Sequence, residues 1–122
     1  MKSRFINQLL AAPFGRRDGR TTWQLAAPLE FYYAPVRERL TVPAGYVTDF
    51  ASIPRLPLLW WLMSDYGQPA AVVHDYLCDR KQYPRKFADE VFRAALHACG
   101  VSPWRAAVMF AAVRSYATLK GL

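Results

Sequence analysis

The residues best able to do chemistry in this chain lie in two short segments. The first segment runs from Thr48 to Arg55 and contains an acid, a hydroxyl and a guanidinium group: Asp49, Ser52 and Arg55. The second segment, about twenty residues later, is the pair His74-Asp75 between apolar neighbours. Burying a neutral polar group without a partner costs on the order of 2–7 kcal/mol, and burying a charge costs more. We therefore expect these side chains to meet one another, a metal ion or a ligand.

The residue types of this group leave a catalytic and a structural role open. Asp49 follows a predicted strand, where it could act as a general base or metal ligand, or could cap local backbone N–H groups as Ser52 could. Together with His74 these two residues have the composition of a nucleophilic triad, and Asp75 is a fourth catalytic candidate. The chain contains no nucleophile elbow, glycine-rich phosphate loop or HExxH motif. The sequence therefore favours a structural polar cluster, formed by Asp49, Ser52, Arg55, His74, Asp75 and Asp89.

The helix predicted around His74 offers weak metal-ligand pairs. Residues four apart share a helical face, which groups Asp75 with Asp79 and His74 with Cys78. The first pair suits a hard cation and the second a soft one. Adjacent helical residues point about 100° apart, so His74 and Asp75 cannot both face one ion well. Two ligands do not make a metal site, so we expect no metal or cofactor. If a metal did bind, the candidate ligands would be His74, Asp75 and Asp79.

Asp89 lies early in the next predicted helix, after basic residues. Its carboxylate could interact with the helix dipole, or could reach His74 or Arg55 across a helix interface. An Asp–His hydrogen bond would fix the imidazole tautomer and raise the pKa of the histidine.

The composition describes a small, basic, globular domain. The 122 residues are 53% hydrophobic and 20% charged, which excludes wholesale disorder, and the net charge is +7. Much of this charge lies in a predicted N-terminal arm, whose basic residues are Lys2, Arg4, Arg16, Arg17 and Arg20. The arm could dock a partner protein or bind nucleic acid, although no zinc-finger, helix-turn-helix or ribonucleoprotein motif accompanies it.

The lack of targeting signals in the sequence and the spacing of its cysteines restrict the class of protein further. No apolar run approaches the ~18 residues of a membrane span, and the N-terminal residues are too polar for a signal peptide. Cys78 and Cys99 form no CxxC motif, which favours reduced, buried thiols and synthesis in a cytoplasm.

The pattern of elements predicts an α+β fold, with one small antiparallel sheet in the first half packed against three to four helices in the second. Alternating polarity and turn residues predict strands at Trp23–Leu25, Glu30–Tyr33, Arg39–Val42 and Tyr46–Thr48. Helical periodicity predicts helices near residues 56–63, 69–79, 84–99 and 103–119. Gly100 is expected to end the third of these helices, and Ser102-Pro103 to begin the fourth. We expect a basic arm over residues 1–20 and one domain over residues 21–122.

Several blocks of the sequence resemble a known family. Residues 42–55, VPAGYVTDFASIPR, resemble the signature VPAGFxTDFASVPR of a phage and prophage family catalogued as domain of unknown function 1353. Residues 70–77, AAVVHDYL, resemble its AAxxHDYLY block, residues 88–92 match ADxxF, and residues 104–116 resemble its closing helix. The resemblance covers roughly residues 22–117 with the motifs in matching order. Cys78 stands where the family often has Tyr or Arg, which argues against a shared role for the thiol.

This resemblance implies a bacteriophage origin and a grouping of the six cluster residues, but it implies no reaction. We expect a non-enzymatic virion component of the tail, baseplate or neck, made in the host cytoplasm and not secreted by a signal peptide. Its arm and aromatic surface would dock other virion proteins. One alternative is a small metal-assisted hydrolase, for example of cell-wall peptide, that uses Asp49, His74 and Asp75. Another is an intracellular phage effector that binds a host factor or nucleic acid through the arm.

Overall fold

The computed structural model describes residues 2–50, 61–62 and 67–121. Within these residues six strands precede three α-helices, so the predicted α+β order is confirmed. The strands are β1 (Arg4–Phe5), β2 (Ala11–Arg17), β3 (Arg20–Leu25), β4 (Leu29–Tyr33), β5 (Glu38–Val42) and β6 (Val47–Thr48). The helices are α1 (Gln68–Asp79), α2 (Arg85–Ala98) and α3 (Pro103–Leu119), and a short 3₁₀ helix spans Ala34–Val36.

The strands form two antiparallel sheets, and the prediction of a single sheet was wrong. One sheet has the order β1-β4-β5 and the other has the order β2-β3-β6. The consecutive strands β3 and β4 belong to different sheets, and the segment between them contains Pro28, which has no N–H to donate to a ladder. Strand β4 alternates buried and half-buried residues, which is the pattern of a strand with one face on the core.

The N-terminal residues predicted as an arm contribute a strand to each sheet. Strand β1 pairs with β4, and β2 pairs with β3 in a hairpin. The hairpin turn is Asp18-Gly19, whose φ angles of 52° and 78° are those of a type I′ turn. All seven residues of β2 are exposed. The basic N-terminal segment is therefore ordered as sheet edge and hairpin.

The helix boundaries follow the sequence signals closely. Helix α3 covers the predicted residues, and α1 and α2 differ from prediction by one residue at each end or less. Gly100, with a φ of 92°, ends α2: its N–H donates to His97 O, and the next N–H, of Val101, donates to Leu96 O. These two bonds form a Schellman motif, in agreement with the helix end predicted at Gly100. Of the helix predicted near residues 56–63, only Trp61 and Leu62 lie within the described residues, and both are helical.

Helix α1 is the central element of the fold, because it contacts α2 and also strands of both sheets. Its residues 70–75 are buried without interruption, including the two that can ionise, His74 and Asp75. Polar side chains therefore leave α1 toward the helices on one side and the sheet on the other. Within the described ranges, no helix is both long and apolar enough to cross a membrane.

Candidate functional site

The described residues of the predicted polar cluster divide into two groups on different sides of α1. His74 and Asp75 are adjacent, so their side chains leave the helix about 100° apart. His74 meets side chains of α2, whereas Asp75 meets side chains from the end of β6 and the turn before it. We call the first group the helix cluster and the second the sheet cluster.

The helix cluster consists of His74, Arg85, Asp89 and Arg114, and it joins all three helices. His74 Nε2 lies 2.6 Å from Asp89 Oδ1, and both side chains are 0% exposed. Arg85 Nε donates to the same oxygen at 3.1 Å, and Arg114 Nη1 donates to Asp89 Oδ2 at 2.9 Å. The ring of Phe92 packs on the imidazole with the centroids 4.7 Å apart. One carboxylate from α2 thus holds a side chain of α1 and a side chain of α3.

The protonation states in this cluster follow from burial and charge. Burial raises the pKa of Asp89, but the hydrogen bonds from His74, Arg114 and Arg85 outweigh this and hold its pKa below the usual range. Burial lowers the pKa of His74. The hydrogen bond to Asp89 raises it, as the sequence led us to expect, but burial is the larger effect. Since Asp89 is an ionised acceptor, neutral His74 must carry its proton on Nε2 and donate it.

The ligand atoms of His74, Cys78 and Asp89 all lie within 4.8 Å of one another. Burial raises the pKa of the Cys78 thiol to about 12, so it is a neutral thiol and a poor ligand at neutral pH. Two guanidinium groups already share the Asp89 carboxylate, and they would repel a cation placed beside it. This chemistry suits a structural ion pair better than a metal centre.

The sheet cluster consists of Tyr46, Thr48, Asp75 and Asp79. The Tyr46 hydroxyl lies 2.6 Å from Asp79 Oδ2 and 3.1 Å from Asp75 Oδ2. Thr48 Oγ1 donates to Asp75 Oδ2, and the same Oγ1 accepts the N–H of Phe50 at 3.0 Å. The structure therefore brings together Asp75 and Asp79, the two residues that the sequence paired as ligands for a hard cation. His74 lies in the helix cluster instead.

The carboxylates of the sheet cluster affect one another. Burial and the charges of Asp75 and Asp49 raise the pKa of Asp79, while the Tyr46 hydrogen bond and the charge of Arg17 lower it; the net shift is upward. Burial is also the first cause, and Asp75 the second, of a raised pKa at Tyr46, which keeps its hydroxyl protonated. A phenol has one proton, so Tyr46 fully satisfies only one of the two carboxylates, and the shorter contact is to Asp79.

Asp49 lies beside the sheet cluster and reaches a cleft. Its side chain is buried, with 5% of the residue exposed, and it lines a cleft of about 670 Å³ with Arg20, Trp23 and Gln68 among others. The next residue, Phe50, has a φ of 62°, a strained conformation for a residue with a side chain. His74 is not among the described residues that line this cleft. Ser52 and Arg55 lie outside the described residues.

The predicted partner-binding residues occupy three places. Arg16, Arg17 and Arg20 lie around the turn of the β2–β3 hairpin, and the charge of Arg17 reaches Asp79. Arg4 is exposed in β1. Lys2 lines a second cleft, of about 620 Å³, against α2.

Four members of these clusters were not predicted from the sequence. Arg85 carried a usable signal, because it precedes Asp89 by four residues on one helix. The other three carried none, since each meets its partner across more than twenty positions of the chain; they are Tyr46, Thr48 and Arg114.

Comparisons with known proteins agree with the resemblance found in the sequence. A curated relative, uncharacterized protein y4jT of Sinorhizobium fredii (strain NBRC 101917 / NGR234), is 30% identical over 92% of this chain. The chain spans about a third of the length of that relative, 34%. No solved structure matches the chain. The family model described as "Protein of unknown function (DUF1353)" matches residues 23–113, which include every residue of the two clusters except Arg114, so the chain belongs to the DUF1353 family.

Proposed function

We propose that this chain is a non-enzymatic structural component of a phage or prophage particle, placed in the tail, baseplate or neck, where it docks neighbouring subunits. The observation that carries the proposal is the complete enclosure of His74. This side chain is 0% exposed and its Nε2 is bonded to a carboxylate that two arginines also hold. A histidine in that state joins helices and has no access to a substrate.

The surface of the chain supports docking. Strand β2 is exposed along its whole length and, among the described strands, pairs with β3 alone. Apolar side chains of this region also face solvent: Leu10 is 54% exposed and Phe14 is 60% exposed. Pro13 and the bulge around Phe14 protect this edge from uncontrolled strand pairing, so a specific partner surface fits it better than an added strand. The arginines of the hairpin turn favour an acidic partner.

The metal-assisted hydrolase is the second candidate, and the position of Asp49 is the observation that favours it. A buried carboxylate at the wall of a cleft is a recognised place for an acid or base. The chemistry would then rest on Asp49 without His74, because the imidazole is committed to Asp89 on the other side of α1. The effector alternative shares the basic hairpin and differs in its partner.

Mass spectrometry of purified particles from the genome that encodes this chain tests the structural proposal. We expect the chain at a fixed ratio to known tail proteins, with a non-structural protein of the same genome absent as the control. Absence of the chain from particles, while it is abundant in the infected or induced cell, would overturn the proposal in favour of the effector.

A variant of Asp49 separates the structural role from the hydrolase. Asp49→Asn keeps the size of the side chain and removes its negative charge. If the chain is a structural component, Asp49→Asn should leave particle yield and infectivity nearly unchanged. The circular dichroism spectrum of the variant should match that of the natural chain, which shows that it is folded. Loss of infectivity with normal assembly and normal folding would favour the hydrolase.

A further inference from the structure

The second cleft, between the N-terminal residues and α2, gathers ionisable side chains that neither cluster uses. Its volume of about 620 Å³ lies within the range of about 300–1,000 Å³ that is typical of sites for small molecules. Its walls come from the N-terminal segment, the end of β4 and one face of α2. The side chains in it that could bind a ligand are Lys2, Tyr33, Glu90, Arg93 and His97. We call it the N-terminal cleft.

The charged groups of the N-terminal cleft do not neutralise one another. Among the described residues, no ion pair contains Lys2, Glu90 or Arg93, and the imidazole of His97 makes no hydrogen bond. The guanidinium of Arg93 lies 5.4 Å from the ring centroid of Phe110. A contact of this kind orients a guanidinium without satisfying the N–H groups at its edge. The two cations outnumber the one carboxylate, so the cleft attracts an anion.

The polar groups on the helical wall of the cleft are arranged in order along α2. Glu90, Arg93 and His97 are spaced by three and four residues, so they share one face of the helix. At about 1.5 Å per residue, Glu90 and His97 are about 10 Å apart along the helix axis. The cleft therefore has a cationic end, at Arg93 and His97, and an acidic end, at Glu90.

Tyr33 belongs to the acidic end. It is buried, with 7% of the residue exposed, and its ring packs edge-on against Phe87. Burial and then the charge of Glu90 raise the pKa of Tyr33, so the phenol lies near that carboxylate and stays protonated. The acidic end thus offers a carboxylate that only accepts hydrogen bonds and a hydroxyl that both donates and accepts them.

The two ends select different parts of one ligand. The cationic end fits a phosphate, whose oxygens accept hydrogen bonds from Arg93 and His97 and whose double negative charge also attracts Lys2. The acidic end repels an anion and fits hydroxyl groups. A hydroxyl can donate to Glu90 and exchange hydrogen bonds with Tyr33, whereas an ammonium group could only donate.

We propose that the N-terminal cleft binds a sugar phosphate. The phosphate lies at the cationic end, against Arg93, His97 and Lys2. The hydroxyl groups of the sugar lie at the acidic end, against Glu90 and Tyr33. This site does not depend on the proposed structural role, because none of the described residues that line it belongs to the exposed strand β2.

Isothermal titration calorimetry of the full chain with three sugars tests the proposal. Glucose 6-phosphate, glucuronate and glucose differ only at the sixth carbon, which carries a phosphate, a carboxylate or a hydroxyl. We expect glucose 6-phosphate to bind at least about tenfold more tightly than glucuronate, with an affinity that falls as salt is raised, and glucose not to bind. Equal binding of glucose 6-phosphate and glucuronate, or no saturable binding of glucose 6-phosphate, would overturn the proposal.

A variant of Arg93 locates the phosphate. Arg93→Gln should weaken binding of glucose 6-phosphate by about tenfold or more, because it removes a charged donor at the cationic end. Lys86→Gln is the matched control: it removes an exposed cation from the same helix outside the cleft, and it should bind as the natural chain does. Circular dichroism shows whether each variant is folded. Unchanged binding by folded Arg93→Gln would overturn the assignment to this cleft.

A variant of Tyr33 locates the sugar. Inorganic phosphate should bind the natural chain more weakly than glucose 6-phosphate, because it makes no contact at the acidic end. Tyr33→Phe keeps the ring that packs on Phe87 and removes the hydroxyl. It should reduce the preference for glucose 6-phosphate over inorganic phosphate by about two- to tenfold and leave the binding of inorganic phosphate unchanged. An unchanged preference would overturn the placement of the sugar.

Discussion

The two polar clusters begin at adjacent residues of α1 and have opposite electrostatic character. In the helix cluster one ionised carboxylate, Asp89, receives three donors, two of them permanently charged arginines. In the sheet cluster two carboxylates, Asp75 and Asp79, share the hydroxyl of one tyrosine. The donors around Asp89 hold its carboxylate ionised, whereas burial and the neighbouring carboxylates raise the pKa of Asp79. The rotation of about 100° between neighbouring helical residues is enough to place His74 and Asp75 in these two environments.

The two clusters also respond to pH in opposite directions. The lowered pKa values of Asp89 and His74 mean that the folded state binds fewer protons than the unfolded state, so their contribution to stability falls with acidification. The raised pKa of Asp79 means that the folded state binds more protons, so its contribution is present at low pH and is lost as pH rises through its folded pKa. Asp79 is exposed, and solvent screening keeps its effect small.

The largest expected loss of stability follows removal of the carboxylate that the helix cluster shares. Asp89→Ala removes the buried carboxylate to which His74 and two arginines are bonded. Breaking a buried pair in this way costs about 3–5 kcal/mol, which urea unfolding would measure as a reduced free energy of unfolding. Asp79→Ala is the matched control, because it removes the same side chain from the other cluster, and it should change stability by less than about 1 kcal/mol. Equal losses in the two variants would contradict the difference between the clusters.

The next effect is the pH dependence that His74 contributes. Below pH 6.5, its ordinary pKa, the unfolded chain takes up a proton that buried His74 resists, so the free energy of unfolding falls as pH decreases. One such group contributes at most about 1.4 kcal/mol per pH unit. Asp89 adds a further loss below its ordinary pKa of 3.8. In His74→Gln the amide can still donate to Asp89 but does not titrate, so the component that begins below pH 6.5 should disappear. Identical pH profiles for the two proteins would show that His74 is not the group responsible.

A smaller effect is expected in the sheet cluster. Tyr46→Phe removes the hydroxyl that two carboxylates share and keeps the ring that packs edge-on against Tyr76. Loss of a hydrogen bond of this kind costs about 0.5–1.5 kcal/mol, and the pKa of Asp79 should rise because the Tyr46 bond lowers it. Urea unfolding and a carboxyl NMR titration measure the two changes. A double-mutant cycle with Asp79→Asn should show coupling between the sites, and strict additivity would mean that the 2.6 Å contact contributes nothing.

The smallest effect separates two neighbouring arginines of the hairpin. Arg17→Ala removes a charge that lowers the pKa of Asp79, so that pKa should rise slightly. Arg16→Ala is the matched control, since the guanidinium of Arg16 bonds the Gly19 carbonyl of the turn, and it should leave Asp79 unchanged. Each substitution should alter stability by less than about 0.5 kcal/mol, as usual at exposed positions. The same carboxyl NMR titration distinguishes the two variants. An equal change in the pKa of Asp79 in both variants would show that Arg17 has no specific effect on the sheet cluster.

The sequence predicted the helices better than the sheets because local signals fix helices. The glycine at 100 and the Ser102-Pro103 pair mark a helix end and a helix start within one turn of chain. The four strands expected from alternating polarity are present, but their assignment to two sheets depends on long-range pairing, which no local pattern encodes. The N-terminal strands β1 and β2 were missed for the same reason: their residues are mostly exposed and form strands by pairing with β4 and β3.

At the site, the arrangement of side chains on one helix could be predicted from the sequence, but few contacts between elements could. Helical rotation alone separated His74 from Asp75, and the possible Asp89–His74 bond was anticipated from their positions on neighbouring helices. The bond to Asp89 raises the pKa of His74 as expected, but the sequence does not show the depth of burial, which outweighs the bond and lowers the pKa. The roles of Tyr46 and Arg114 depend on packing between distant segments.

The tautomer and charge of His74 test the central claim, that this histidine is an enclosed structural donor, most directly. Long-range ¹H–¹⁵N NMR reports both, and comparison with His74→Gln assigns its signals against those of the second histidine, His97. We expect a neutral imidazole protonated on Nε2, with shifts that stay constant as the pH is lowered through 6.5, the ordinary pKa of histidine. An imidazole that gains a proton near pH 6.5, or that carries its neutral proton on Nδ1, would contradict the account and return His74 to the list of groups available for chemistry.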